Sequence, residues 1–118
     1  MGIVGIGIDV CGLERWQAMA ARRPGVVERV LTPAEAGLAS HSQAARFAAK
    51  EALAKALGSP GGLEWHDAEV VSDPSGRPSF EVRGTVAALA ASLGVSALHL
   101  SLSHDAGVAT AVVVAEAR

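Results

Sequence analysis

The chain has 118 residues and a formal charge of −2 at pH 7, and half of its residues are hydrophobic. This length predicts one domain spanning residues 1–118. The small negative charge argues against a nucleic-acid partner, because non-specific binding to nucleic acid usually needs a basic face. Only four residues are aromatic, so a core of Ala, Val and Leu buries little area per residue. Association with further copies of the chain is one way to bury more.

The sequence does not favour a membrane or secreted protein. No apolar run approaches the roughly 20 residues needed to span a bilayer. The first residues lack a basic segment and carry Asp9 too early for a signal peptide. The single cysteine, Cys11, cannot form an intrachain disulfide and suits a reducing compartment. We therefore expect a cytoplasmic protein without a membrane partner, and we interpret Cys11 as a small buried thiol near a strand end.

The first half of the chain predicts one strand and then helices. Residues 2–10 alternate with a period of two, which indicates a strand with one buried face. Residues 13–23 predict a helix that ends at Pro24-Gly25. Thr32 and Glu35 form a capping box at the start of another helix, and a third helix spans about 43–57. The two sides of the strand are Val4, Ile6, Ile8 and Val10 against Gly5, Gly7 and Asp9.

The second half of the chain predicts mostly strands. Residues 67–72 and 78–83 are two strands joined by the turn DPSGR. A short helix over 84–94 precedes a strand at 97–103 and a last strand at 107–116. The last strand is almost continuously apolar, which predicts that it is covered on both sides. Because strands and helices mix through short antiparallel connections, we predict an α+β fold with a mainly antiparallel sheet packed against helices.

The segment RFAAKEALAKALG, residues 46–58, carries an unusual set of charges. Eight of the ten basic residues are arginine, yet both lysines, Lys50 and Lys55, lie here. At about 100° per residue, one face holds only alanine, which lets the helix lie close to a neighbour. One interpretation of the charged half is a solvated surface with pairs such as Glu51–Lys55. The other is a site that needs compact ammonium groups for phosphate or for proton donation. The alanines are Ala48, Ala49, Ala52 and Ala56.

Two carboxylates are candidates for a metal site. Asp9 shares a strand face with Gly5 and Gly7, and these glycines leave space for a ligand to approach the backbone. Glu51 lies between cations on the charged helix. One carboxylate from a strand and one from a helix, completed by water and substrate phosphates, are how Mg²⁺ is usually held. The alternative for Asp9 is that it caps the helix that follows it.

The segment SLSHD places His104 where a strand runs into a turn, beside Ser103. Hydroxyl groups there are suitable donors to phosphate, although a lone histidine is more often structural than functional. The other histidines have no companions at metal-ligand spacing, and we interpret them as structural or surface residues. They are His41, His66 and His99.

Read in order, the strand aspartate, RFAAKEALAKALG, GRP and SLSHD resemble the holo-[acyl-carrier-protein] synthase family, the small bacterial type of 4′-phosphopantetheinyl transferase. The resemblance runs from about Gly5 to Ala109, and RFAAKEA followed by KALG is its most specific part. It implies the 4′-phosphopantetheinyl transferase fold. It also implies a reaction that moves the phosphopantetheine arm of coenzyme A onto a serine of apo-acyl carrier protein and leaves adenosine 3′,5′-bisphosphate. Family members of this size are trimers with active sites at subunit interfaces, so the resemblance implies a homotrimer.

The resemblance also implies roles for residues of this chain. Asp9 and Glu51 match the carboxylates that hold Mg²⁺ on the pyrophosphate of coenzyme A. Lys55 matches the lysine that neutralises the phosphate oxygens and the departing bisphosphate, so these three are the expected catalytic residues. The expected contacts with coenzyme A are Arg46, Lys50, Lys55, Arg77, Pro78, Ser103 and His104. The expected docking surface for the carrier protein is Arg15, Met19, Arg22 and Arg29.

The chain departs from the family pattern in its loops. The segment between LTPAE and RFAAKEA is about two helical turns shorter than in many members, and SPGG at 59–62 replaces a shorter TG. Two other functions are compatible with the same residues: a metal-dependent nucleotide pyrophosphatase, and a non-catalytic module that binds coenzyme A or carrier proteins. The sequence also leaves open whether Glu51, Asp105 or a metal-bound water takes the proton of the serine nucleophile.

Overall fold

The central helix of the molecule lies across a three-stranded antiparallel sheet. The computed structural model describes residues 2–118. The sheet has the strand order β1-β5-β4, and a separate hairpin is formed by β2 and β3. Both sheets are antiparallel, so the predicted α+β class is confirmed. The strands are β1 Gly2–Gly12, β2 Ala68–Ser72, β3 Pro78–Val82, β4 Ala97–Asp105 and β5 Val108–Ala117.

Five α-helices and one 3₁₀ turn connect these strands. The predicted capping box is present at Thr32, which accepts the N–H of Glu35 while the Glu35 carboxylate accepts the N–H of Thr32. Helix α4 begins at Ser40, three residues before the predicted start; its N-cap residue Ala39 makes no side-chain cap bond, so the sequence carries no start signal. The helices are α1 Leu13–Arg22, α2 Val26–Val30, α3 Pro33–Ala36, α4 Ser40–Ala56 and α5 Gly84–Ser92, with the 3₁₀ turn at Trp65–Asp67.

Helix α4 lies close to strand β1 because neither surface carries a large side chain. A Cβ atom added at Gly5 would overlap the carbonyl oxygen of Ala56, and one added at Gly7 would overlap that of Ala52. The predicted alanine face of α4 is buried. The sequence interpretation that the two glycines clear space for a ligand is therefore wrong, since the backbone of α4 fills that space.

The other face of the sheet is open in the protomer. Ile6, Ile8 and Val10 project from β1 on the side away from α4 and are 59–64% exposed. Strand β1 therefore has one face that is more buried than the other, but within the protomer this is the glycine face against α4 and not the apolar face. On β5, alternate residues facing α4 are buried, but Val112 on the opposite face is exposed. The expectation that the last strand is covered on both sides is therefore not met within one protomer. We call Ile6, Ile8, Val10 and Val112 the open face.

Three of the four aromatic residues form a stack beside α4. The ring centroids of Trp16 and Phe47 are 5.3 Å apart, and those of Phe47 and Trp65 are 5.7 Å apart. The Trp16 indole N–H donates to the side-chain oxygen of Gln43 at 3.0 Å. This stack holds α1 and the 3₁₀ turn against α4. Within residues 2–118, no helix combines the length and the apolar character that crossing a bilayer requires.

Candidate active site

Asp9 and Glu51 come together in one cleft between β1, α1 and α4. Asp9 pairs with Ala111 of β5 and so points to the side of the sheet that α4 covers. The cleft has a volume of about 280 Å³. Burial raises the pKa of Glu51, and the nearby Asp9 carboxylate raises this pKa further. The cleft is lined by Asp9, Val10, Cys11, Arg15, Trp16, Met19, Phe47 and Glu51.

This pair of carboxylates suits a hard divalent cation. A cation between Asp9 and Glu51 would relieve the repulsion that raises the pKa of Glu51. Among the described residues 2–118, no group of three or more His, Cys, Asp or Glu side chains is arranged to hold a metal. A two-carboxylate site leaves the remaining positions to water and substrate oxygens, which is the arrangement that Mg²⁺ prefers.

Lys55 lies at the edge of the same carboxylate pair. Its ammonium group is 3.0 Å from Oδ1 of Asp9 and donates to the carbonyl oxygen of Ile8 at 3.0 Å. The lysine side chain is 48% exposed, so one N–H remains available to a ligand from solvent. Asp9 therefore contacts a cation of the helix. The alternative that it caps the next helix is not seen, because the N-cap of α1 is Gly12 without a side-chain bond.

Lys50 has a structural role, which corrects its expected contact with the nucleotide. Its ammonium group is 2.6 Å from Oε1 of Glu35, and the two side chains are only 2% and 1% exposed. It also donates to the carbonyl oxygens of Val30 at 2.8 Å and Trp65 at 3.2 Å. All three N–H donors are thus used inside the protein, and none is left for a phosphate.

Glu35 completes this buried network. Its carboxylate also accepts the backbone N–H of Thr32 at 2.9 Å and that of Val70 at 2.8 Å. The network therefore ties together the ends of α2 and α3, helix α4, the 3₁₀ turn and strand β2. Burial lowers the pKa of Lys50, while the hydrogen bond and charge of Glu35 raise it.

A second cleft holds three of the residues expected to contact coenzyme A. Arg46, Pro78 and His104 line it, and its volume is about 220 Å³. The Arg46 guanidinium donates to the hydroxyl of Ser72 at 3.4 Å, and its buried Nε atom has no partner within the described part of the chain. Burial lowers the pKa of Arg46, and the charge of Glu35 partly offsets this. This cleft shares no lining residue with the cleft of Asp9 and Glu51.

Sequence reasoning missed His41, which also lines the second cleft. Its ring centroid is 5.4 Å from that of His104. The two histidines are far apart in the chain, and no local spacing signals that they meet. The contact depends on helix α4 starting at Ser40 and on strand β4 continuing through His104 to Asp105.

Two expected coenzyme A contacts lie outside the second cleft. Ser103 pairs with Thr110 of β5 and therefore faces the opposite side of the sheet from His104. Arg77 lies in the turn between β2 and β3, where its backbone N–H donates to the Asp73 carboxylate at 2.9 Å, and its side chain is exposed. Within one protomer, Ser103 and His104 cannot contact the same phosphate from the same side.

The expected docking residues divide into two groups. Arg15 and Met19 of α1 line the cleft that contains Asp9 and Glu51. Arg22 at the end of α1 and Arg29 of α2 are exposed beyond this cleft. The α1 surface is therefore continuous with the carboxylate cleft, so a partner held on α1 has direct access to it.

Comparison with known proteins identifies the family of this chain. A model of the 4′-phosphopantetheinyl transferase superfamily matches residues 5–113. A holo-[acyl-carrier-protein] synthase from Frankia alni is 59% identical over 117 residues, covering 98% of this chain and 99% of the relative. A relative of the same name from Clavibacter sepedonicus is 59% identical over 114 residues, covering 97% of this chain and 96% of the relative.

Solved structures give the same result. The crystal structure of holo-[acyl-carrier-protein] synthase from Neisseria meningitidis has a TM-score of 0.87 and 33% identity, with 97% of this chain and 98% of that chain covered. The Helicobacter pylori enzyme in complex with coenzyme A has a TM-score of 0.83 and 33% identity, with 94% and 99% covered. The chain and its fold thus belong to the 4′-phosphopantetheinyl transferase superfamily. Within that superfamily, the chain belongs to the holo-[acyl-carrier-protein] synthase family.

Proposed function

We propose that this protein transfers the 4′-phosphopantetheine arm of coenzyme A to a serine of apo-acyl carrier protein and releases adenosine 3′,5′-bisphosphate. The observation that carries the proposal is the convergence of Asp9 and Glu51 in one cleft, with the Lys55 ammonium 3.0 Å from Asp9. Relatives with 59% identity are holo-[acyl-carrier-protein] synthases, and the related H. pylori structure contains coenzyme A. The whole chain, residues 1–118, acts as one domain in this proposal, and its location is the cytoplasm.

Asp9 and Glu51 are the residues that would hold Mg²⁺. When bound, the ion supplies Lewis-acid polarisation of the pyrophosphate of coenzyme A. Lys55 directs its free N–H toward the phosphate oxygens and neutralises the charge that develops on the departing bisphosphate. Its bond to Asp9 fixes the ammonium beside the carboxylate pair before substrate arrives. The protein thus contributes positioning and charge rather than a covalent intermediate.

The serine of the carrier must lose a proton to a nearby base. Glu51 lies in the cleft beside Asp9 and is one candidate for this base. Asp105 is an alternative base at the end of β4, where its carboxylate accepts the N–H of Ala106 at 2.9 Å and lines a different cleft of the same protomer. A water on the ion is the third alternative.

The second cleft is the proposed site for the nucleotide part of coenzyme A. Arg46 and His104 supply donors to its phosphates, and Pro78 lines the cleft at the β2–β3 turn. The exposed side chain of Arg77, next to Pro78, would close over the bound nucleotide. Because this cleft shares no residue with the carboxylate cleft, we propose that the two clefts meet across a subunit interface. Ser103, on the opposite face of β4 from His104, would then contact the coenzyme A of the neighbouring site.

A homotrimer explains the open face of the sheet. Ile6, Ile8 and Val10 are large apolar side chains left 59–64% exposed by the protomer, and contiguous exposed patches of this kind mark interfaces. We propose that this face packs against other copies of the chain. Light scattering should therefore give the mass of three chains for the wild type. Ile8→Arg should give monomers that have lost transfer, because each active site would be incomplete.

The proposed partner is acyl carrier protein, docked on α1. Arg15, Met19 and Arg22 form one stripe of this helix, and Arg29 extends it. The carrier is usually acidic, so these arginines match its charge. A carrier held here presents its serine to the cleft that contains Asp9 and Glu51.

Intact-mass spectrometry of an apo-acyl carrier protein tests the proposal most directly. Incubation with the protein, coenzyme A and Mg²⁺ should add the mass of one phosphopantetheine arm. Variants of the carrier without its acceptor serine should gain no mass. A parallel reaction without carrier should release no bisphosphate; release there would instead identify a nucleotide pyrophosphatase. Binding of coenzyme A without any modification of the carrier would identify a non-catalytic module.

A further inference from the structure

His41 is the second residue of helix α4 and lines the second cleft. Its ring lies 5.4 Å from the ring of His104, centroid to centroid, and both line the cleft together with Arg46. His41 is exposed, so its imidazole can reach a ligand in the cleft.

The charges around the cleft favour an anion. The polar residues of its lining are histidine, serine and arginine, and the lining contains no carboxylate. His41 and His104 also border a neighbouring cleft, but that one contains Asp105, whose charge opposes a phosphate. An anionic group is therefore directed to the side of the histidine pair on which Arg46 lies.

Arg46 gives independent support for a ligand on this side. Among residues 2–118, its Nε atom is buried without a hydrogen-bond partner, and its only side-chain bond is a long one of 3.4 Å to Ser72. A buried donor without a partner is costly. A ligand with several acceptor oxygens would satisfy this donor together with the imidazoles.

We propose that His41 binds the 3′-phosphate of coenzyme A and sets the preference of this protein for 3′-phosphorylated over 3′-dephosphorylated nucleotides. The inference rests on the proposed function and adds a residue and a selectivity to it. A phosphate monoester presents three acceptor oxygens, which matches a cleft where His41, Arg46 and His104 converge. A nucleotide with only a hydroxyl group at the 3′ position would lack the acceptor oxygens for His41 at this point.

Isothermal titration with adenosine 3′,5′-bisphosphate and with adenosine 5′-monophosphate tests the inference. In His41→Ala, affinity for the bisphosphate should fall about tenfold, the loss expected for one charged hydrogen bond, while affinity for the monophosphate should not change. His41→Gln keeps an N–H donor and should recover part of the loss. The KM for coenzyme A should rise in parallel and kcat should stay constant.

His66→Ala is the matched control. His66 is also exposed, but it bonds the carbonyl oxygen of Glu28 away from this cleft, so its loss should leave both affinities unchanged. A wild type that transfers the arm normally, with a His41→Ala variant equal to it toward both nucleotides, would overturn the inference alone. A wild type that binds neither nucleotide and does not modify the carrier would overturn the inference and the proposed function together.

Discussion

Lys50 and Lys55 lie five residues apart on one helix, but their surroundings differ completely. Lys50 is buried, and its ammonium group lies 2.6 Å from Oε1 of Glu35. All of its N–H groups donate to oxygen atoms of the protein. Lys55 is 48% exposed and keeps a donor free beside Asp9. The comparison shows that two lysines of one motif can differ in role: one cation is fully used by the scaffold, and the other remains accessible to a ligand.

The largest effect is expected for Glu51, which lies in the cleft that also contains Asp9, the partner of Lys55. Glu51→Gln should abolish transfer, because losing a metal ligand removes several kcal/mol of charge stabilisation, which corresponds to about 10³-fold in rate. The fold should persist, since the buried network is built on Lys50 and Glu35 and does not include Glu51. The measurement is carrier modification at saturating Mg²⁺, with Glu81→Gln on the exposed surface of β3 as the control. Near-normal turnover by Glu51→Gln would remove this residue from the metal site.

The next largest effect is expected for the buried residue, Lys50. Lys50→Met should destabilise the protein by about 3–5 kcal/mol, because it leaves the Glu35 carboxylate buried without its cation. Urea unfolding would measure this. Lys50→Met combined with Glu35→Gln should recover part of the stability, since the uncompensated charge is gone.

The same double variant also tests the structural role of Lys50 against the nucleotide contact. If Lys50 only fixes the scaffold, the folded double variant should bind adenosine 3′,5′-bisphosphate as the wild type does. Loss of this binding in a folded double variant would restore Lys50 to the nucleotide site.

Lys55→Gln should show the opposite pattern to Lys50→Met. Stability should change by less than about 1 kcal/mol, because the Lys55 side chain of this ion pair is 48% exposed and water can replace the ammonium beside Asp9. The kcat should fall about 10²-fold, as expected when one preorganised donor to the developing charge is removed. Urea unfolding and single-turnover transfer on the same preparation separate the two effects. An unchanged kcat would contradict the assignment of Lys55.

The smallest expected effect is at the rim of the carboxylate cleft. Arg15→Glu should raise the KM for acyl carrier protein about tenfold, because a like charge replaces an attractive one, and should leave the KM for coenzyme A unchanged. Added salt should weaken docking of the wild type. Arg23→Glu, outside the stripe of Arg15 and Met19, is the matched control. Equal effects of the two variants would exclude α1 as a specific docking surface.

Local patterns predicted much of this fold. The alternation in β1, the alanine face of α4 and the capping box at Thr32 are each decided within a few residues, and the structure contains all three. The convergence of Asp9 with Glu51 followed from a family resemblance combined with the preference of Mg²⁺ for carboxylates, rather than from spacing alone.

The remaining features depend on which segments meet in three dimensions. Nothing near Lys50 in the sequence indicates that Glu35 will reach it, so a buried lysine and a ligand-binding lysine look alike. His41 and His104 are neighbours only after α4 crosses the sheet. Gly5 and Gly7 signal a close approach, but a glycine pair does not distinguish an incoming helix from an incoming ligand.

The contact of Gly5 and Gly7 with α4 has a consequence for the tuning of this enzyme. Asp9 belongs to the same strand as the glycines, and Glu51 precedes Ala52, whose carbonyl oxygen rests on Gly7. The distance between the Asp9 and Glu51 carboxylates therefore depends on how closely helix α4 packs against strand β1. Residues that contact neither acid would thus set the spacing of a cation site between them, and a methyl group at position 7 would change this spacing without changing either carboxylate.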